Sequence, residues 1–218
     1  MSPEYQRNTK RQWAYKENAK AEPPGAATGA ELLRPEAGVH QAGQAGERAV
    51  MEHLATLGDL AVFSRVLVKV MNADGTGPDI DHIVIQKGRL AIVETKFFGG
   101  TIWGDNTSRT WTQERYVRGG AKRQFQLGNP IRAVLWYKEV FRRRMLEKYD
   151  VNVWPSPVVV LTGDCMLNLQ EQPAVPIVNV SDLPSAISGL DRGRNDPRQL
   201  QNMFFALMNE EGYDPFMR

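Results

Sequence analysis

Apolar and polar positions divide the chain into elements with distinct periods. Val50, Leu54 and Leu57 recur at helical spacing before Gly58, which predicts a helix over 46–58 that Gly58 ends. Residues 63–70 read as a strand and 71–77 as a polar loop. Residues 79–86 and 89–96 are two further strands, joined by a tight turn at Lys87-Gly88. Short strands are expected at 101–103 and 109–118. Residues 122–149 read as a long helical region interrupted near Gly128-Asn129-Pro130, with Ile131, Val134, Leu135, Phe141 and Met145 at helical spacing in its second part. Residues 157–162 are β-branched and apolar on both faces, the mark of a buried strand. A weaker strand follows at 176–180, and helices begin at Ser181-Asp182-Leu183-Pro184 and at Asp196-Pro197. This order predicts an α/β fold with a mixed central β-sheet flanked by helices.

The three regions differ in composition. Residues 1–41 form a polar arm with Pro3, Pro23, Pro24 and Pro35 and mixed charges, expected to be partly disordered or helical. Residues 42–180 hold the main domain, and 181–218 a helical extension packed on it. At 218 residues and 42% hydrophobic, the chain can build one good-sized core. The single cysteine, Cys165, excludes an internal disulfide framework, and three scattered histidines argue against a His-based metal site. No apolar run approaches the roughly 20 residues of a membrane span. The polar start argues against a secretory signal, so the expectation is a cytoplasmic protein with no membrane partner.

Four charged residues stand where packing rules disfavour them. Glu47 heads the apolar face of the first helix, three residues before Val50. Burial there is costly unless the carboxylate is paired or binds a metal, although a first-turn acid also favours the helix dipole. Asp79 and Asp81 share a strand face with Ile83 and Ile85, although Asp is depleted in strands and Asp79 could instead cap a turn. Glu94 and Lys96 share a face with Ile92 at the end of the next strand, where a solvated ion pair is the ordinary alternative. Jointly they say more. Asp81 and Glu94 lie on strands joined by a two-residue turn, so their ends can meet. Carboxylates with an ammonium alongside suit Mg²⁺ or Mn²⁺ and the in-line displacement at a phosphodiester. Cys165 reads as a buried thiol, His82 as structural, and Asp74-Gly75-Thr76-Gly77 as only loosely like a phosphate loop.

Asp81 with Glu94-Thr95-Lys96, preceded by Pro78-Asp79-Ile80, resembles the PD-(D/E)xK nuclease signature. Gly46-Glu47, the 80–85 and 92–96 segments, Gly100-Thr101-Ile102-Trp103-Gly104, Trp111 and Asn129-Pro130 resemble, in order and spacing, the NERD (nuclease-related) domain over roughly 42–161. The resemblance implies a restriction-endonuclease-like core and divalent-metal-dependent cleavage of DNA. Glu47, Asp81 and Glu94 would ligate Mg²⁺ or Mn²⁺, the Thr95 carbonyl would add a ligand, and Lys96 would position or activate the attacking water. The family often places a Gln three residues after Asn-Pro, where this chain has Ala133. Gln124 and Gln126 are the candidate substitutes.

Charge completes the picture. The chain carries 27 Lys and Arg against 25 Asp and Glu, a net +2. From Arg109 to Lys148, eleven basic residues face three acidic ones, a local excess of eight that leaves −6 for the remainder. Arg115, Arg118, Lys122, Arg123 and Arg132, with Gln124 and Gln126, are the candidate nucleic-acid contacts, interleaved with aromatics. The expected function is a metal-dependent deoxyribonuclease acting on DNA, with RNA not excluded as a partner. The alternatives are a nucleic-acid-binding adaptor with little cleavage and a protein-interaction module. A homo-oligomer, or partner proteins of a defence, repair or mobile-element system, would fit any of them.

Overall fold

The structure, a computed structural model, describes residues 37–67, 79–117, 119–191 and 195–209. Most of the expected arm, the loop at 71–77, Arg118 and the last nine residues lie outside the described residues. In chain order the elements are α1 (Ala37–Leu54), β1 (Leu60–Leu67), β2 (Asp79–Gln86), β3 (Arg89–Lys96), β4 (Gly100–Gly104), β5 (Thr110–Tyr116), β6 (Lys122–Gly128), α2 (Pro130–Tyr149), β7 (Ser156–Leu161), β8 (Cys165–Leu169), β9 (Ile177–Asn179), a 3₁₀ turn (Val180–Asp182), α3 (Leu183–Gly189) and α4 (Pro197–Met208). No helix among the described residues is long and apolar enough to cross a membrane.

The strands form two mixed sheets, in the orders β1-β2-β3-β7-β9 and β6-β5-β4-β8. In the first, β1, β2 and β3 are antiparallel neighbours, while β3–β7 and β7–β9 run parallel. Lys87 and Gly88 both have positive φ (48° and 80°), as a two-residue type I′ hairpin turn requires. That turn fixes the β2–β3 register from Gln86↔Arg89 to His82↔Val93. The second sheet pairs β4 with β5 and β5 with β6 antiparallel, and β4 with β8 parallel.

Strands β3 and β7 are buried on both faces. On one face Ala91, Val93, Val158 and Val160 pack with Val50 and Leu54 of α1 and Leu183 and Ile187 of α3. On the other, Leu90, Ile92 and Val159 pack with Ile131, Val134, Phe141 and Met145 of α2 and with Leu200, Met203 and Leu207 of α4. Ile102 and Trp111 of the second sheet join that same cluster. The result is a mixed α/β architecture flanked by helices, of the restriction-endonuclease-like kind, with two sheets where one was expected.

Three elements differ from expectation. Residues 122–128 are strand, not helix: Phe125 and Leu127 alternate with exposed Gln124 and Gln126, a period of two, and the segment pairs with β5 along its length. The helix starts only after Asn129. Its side chain accepts hydrogen bonds from the Ile131 and Arg132 backbone N–H (2.9 and 3.3 Å), and its amide donates to the Asp105 and Ser108 carbonyls (3.0 and 2.8 Å). Residues 165–169 form an additional strand, β8, and α1 spans 37–54 rather than 46–58.

Candidate active site

The site is built where β2 begins and β3 ends. Because the hairpin register pairs His82 with Val93, the next positions along the two strands, Asp81 and Glu94, are neighbours. Asp81 Oδ2 accepts a 2.7 Å hydrogen bond from the Thr95 backbone N–H. Side-chain alternation along β3 sends Leu90, Ile92, Glu94 and Lys96 to the α2 face, and Ala91, Val93 and Thr95 to the α1 face. Glu94 is only 2% exposed. One of its oxygens, Oε1, pairs with Lys96 Nζ; the other, Oε2, is buried with no partner.

Burial sets the protonation of this group. It pushes the Asp81 carboxyl up to about 7, with Glu94 and Glu47 adding to the rise and the Thr95 hydrogen bond and Lys96 opposing it. Burial also raises Glu94 against the pull of Lys96. For Lys96 burial alone would lower the ammonium, but Glu94, Asp81 and Glu47 outweigh it and the group is pushed up. Lys96 therefore stays charged at neutral pH, while the carboxyls resist losing their last proton.

Glu47 approaches from α1 and is half-buried. Its charge reaches Asp81, Glu94 and Lys96. The helix comes this close because residue 46 is glycine: a Cβ there would sit 2.5 Å from Thr162 Oγ1, just beyond β7. Thr162 in turn donates its backbone N–H to the Lys96 carbonyl (3.1 Å). Even so, no group of three His, Cys, Asp or Glu among the described residues is close enough to hold a metal together. Asp81 and Glu94 are brought together with Lys96, and Glu47 is the weakest of the charges that act on each of them.

Asp79, the first residue of β2, is exposed, and its charge reaches Glu94. Tyr137, one of the aromatics of the basic 109–148 segment, also faces the acidic group. It lies on the buried stripe of α2, three residues after Val134 and four before Phe141. Burial, then Glu94, Asp81 and Asp79, push its hydroxyl well above the usual tyrosine range. The helical spacing that picked out Val134 and Phe141 also runs through Tyr137. His82 sits on the opposite face, 1% exposed, with Nδ1 2.9 Å from Ser64 Oγ, and burial lowers it to about 4. Cys165 is a half-buried thiol on β8 that burial pushes up.

The candidate nucleic-acid contacts separate. Arg115 on β5 stands opposite Arg123 on β6, both exposed. Lys122 pairs with Glu114. Gln124 and Gln126 lie on β6, not on a helix beside the site, and Gln126 donates to Thr112 Oγ1 (3.2 Å). Arg132 is tied to the Thr107 carbonyl at 2.8 Å. Arg118 lies outside the described residues.

Residues 42–162, more than half of the chain, match the nuclease-related domain family. The chain belongs to the NERD family. That family stands in the PD-(D/E)xK-like nuclease group. An uncharacterised protein of Bacillus anthracis is 34% identical over 104 residues, covering 44% of this chain and 47% of its own length. The chain thus spans about half the length of that curated relative. No solved structure matches it. The matched residues run from within α1 through β1 to β6, α2 and β7, and so contain every side chain of the site.

Proposed function

We propose that this NERD protein is a divalent-metal-dependent deoxyribonuclease. The observation that carries the reading is buried Glu94 beside half-buried Asp81, with a charged Lys96 at the end of β3. A carboxylate taken out of water with one oxygen left unpartnered, beside a second that is half-buried, is a costly arrangement that a hard dication would offset. Asp81 and Glu94 would hold Mg²⁺ or Mn²⁺ directly. Thr95 sends its N–H toward Asp81, and in an extended strand its carbonyl points to the same side, so that oxygen is the third donor. Glu47, the weakest of the charges acting on that pair, would act through a water. When bound, the cation lowers the pKa of a water and neutralises charge on the scissile phosphate.

The protein's own groups do the rest. Lys96 is held charged by Glu94, so it orients the attacking water and stabilises developing negative charge rather than removing a proton. Glu94 fixes the ammonium, and the Thr95 N–H fixes Asp81.

Purified protein incubated with plasmid and linear DNA tests the reading. Cleavage with Mg²⁺ or Mn²⁺, abolished by EDTA and by Glu94→Ala, is the expected result. The absence of a three-carboxylate cluster among the described residues and the Ala133 at the family's Gln position favour a second reading, a DNA-binding protein with little turnover. Salt-sensitive DNA binding without cleavage under either metal would select it.

A further inference from the structure

Strands β5 and β6 form a ribbon at one edge of the second sheet, and their register charges its two faces differently. On one face Lys122 pairs with Glu114 and lies 5.9 Å over the Tyr116 ring, leaving that face neutral. On the other, Arg115 stands directly opposite Arg123. Among the described residues neither arginine has a carboxylate within ion-pair distance. Like charges directly opposite each other destabilise an antiparallel pair. The Arg115 guanidinium, 4.7 Å over the Phe125 ring, is held in place by stacking rather than by an acid.

This row continues toward the catalytic strand. The β4–β5 register pairs Thr101 with Glu114, which brings Gly100 beside Arg115. Gly100 has φ of 76°, and a Cβ on it would lie 2.3 Å from the Glu114 carbonyl and 3.0 Å from Arg115 Cβ, so only glycine admits the approach. Buried Gln113, on the same face as Arg115, donates to the Gly99 carbonyl at 2.7 Å and pins the ribbon to the segment leaving β3. From Lys96 to Gly100 the chain spans at most roughly 14 Å, and each strand step adds about 5 Å. Arg115 and Arg123 thus stand within about 24 Å of Lys96, or no more than about seven base-pair steps of 3.4 Å.

We propose that Arg115 and Arg123 form a phosphate clamp that grips the DNA backbone a few nucleotides from the scissile bond, without reading sequence. The clamp rests on the nuclease reading for what it delivers, but its binding signature is separate from catalysis. Lys122, already paired, takes no part in it.

The test uses the full chain in EDTA, with two labelled 20-base-pair duplexes of unrelated sequence titrated between 50 and 200 mM salt. Arg115→Gln and Arg123→Gln are each expected to weaken binding about 3- to 10-fold at low salt and to lower the salt slope by about 1, alike for both duplexes. Arg123→Lys should retain the slope, and Lys122→Gln should leave it unchanged. Without DNA, Arg123→Gln should melt slightly higher than the parent, because the opposed charges are relieved, and that melt also reports folding. Unchanged slopes in both arginine variants, or an equal loss in Lys122→Gln, would overturn the clamp. If the parent then still cleaves DNA, the nuclease reading stands without it; a parent that neither binds nor cleaves removes both.

Discussion

Thr95 lies between Glu94 and Lys96, and its backbone N–H donates a 2.7 Å hydrogen bond to Asp81 Oδ2. That bond ties the acid of β2 to the strand that carries the other two charged groups. It favours the ionised form of Asp81, but burial and the nearby Glu94 carboxyl prevail, and the group rests near 7.

The first consequence is a pH dependence of stability in the metal-free protein. A carboxyl with a raised folded pKa keeps its proton in the native state while the unfolded chain has lost it. Stability therefore falls as pH rises from about 4, where the unfolded Asp titrates, through about 7. In EDTA the melting temperature should be lower at pH 8 than at pH 5.5, Asp81 contributing a stability loss on the order of 2 kcal/mol and Glu94 adding in the same direction. Asp81→Asn should flatten the profile; an unchanged profile would show that Asp81 does not hold its proton up to about 7.

Metal binding should carry the opposite dependence. A dication at Asp81 and Glu94 must displace the protons that burial holds there, so its affinity should rise with pH up to about 7 and level off above it. Mn²⁺ titrations followed by calorimetry in two buffers of different ionisation enthalpy would read the released protons directly. The rise in melting temperature on adding Mn²⁺ should likewise be larger at pH 8 than at pH 6.

Gly46 sets the distance of Glu47 from the strands. Gly46→Val would drive a side chain into Thr162 and is expected to destabilise the protein by about 1–3 kcal/mol while displacing Glu47. Adding Thr162→Ala should recover part of that loss, a coupling that a double-mutant cycle in urea unfolding would measure.

Asn129 is expected to matter for stability more than for chemistry. It caps α2 and ties that helix to the 105–108 turn through two further hydrogen bonds. Asn129→Ala should destabilise by about 2–4 kcal/mol, and in a chain of this size each kcal/mol lowers the melting temperature by about 2–4 °C.

The β2–β3 hairpin was legible from sequence because everything that defines it is local: a two-residue turn and a period of two. Asp81 and Glu94 came with it. The strand at 122–128 was not, because its alternation of Phe125 and Leu127 with Gln124 and Gln126 is short and adjoins a strong helical pattern; its partner across the turn decides it. Strand β8 was missed for a related reason. It pairs in parallel with β4, more than sixty residues earlier, and its alternation of half-buried and exposed positions is modest. How near Glu47 comes to Asp81 and Glu94 depends on how α1 rests against Thr162 at Gly46, a contact no local pattern encodes. Tyr137 needed only the helical stripe to be read through to its polar end.

Cleavage of plasmid DNA by the purified protein with and without Mg²⁺ or Mn²⁺, run beside Glu94→Ala and Lys96→Ala, is the most direct measurement. Metal-dependent nicking or linearisation that falls at least about 100-fold in each variant is the expected result. No cleavage with either metal, or cleavage that both variants retain, would contradict a catalytic role for the carboxylate–lysine cluster at the end of β3.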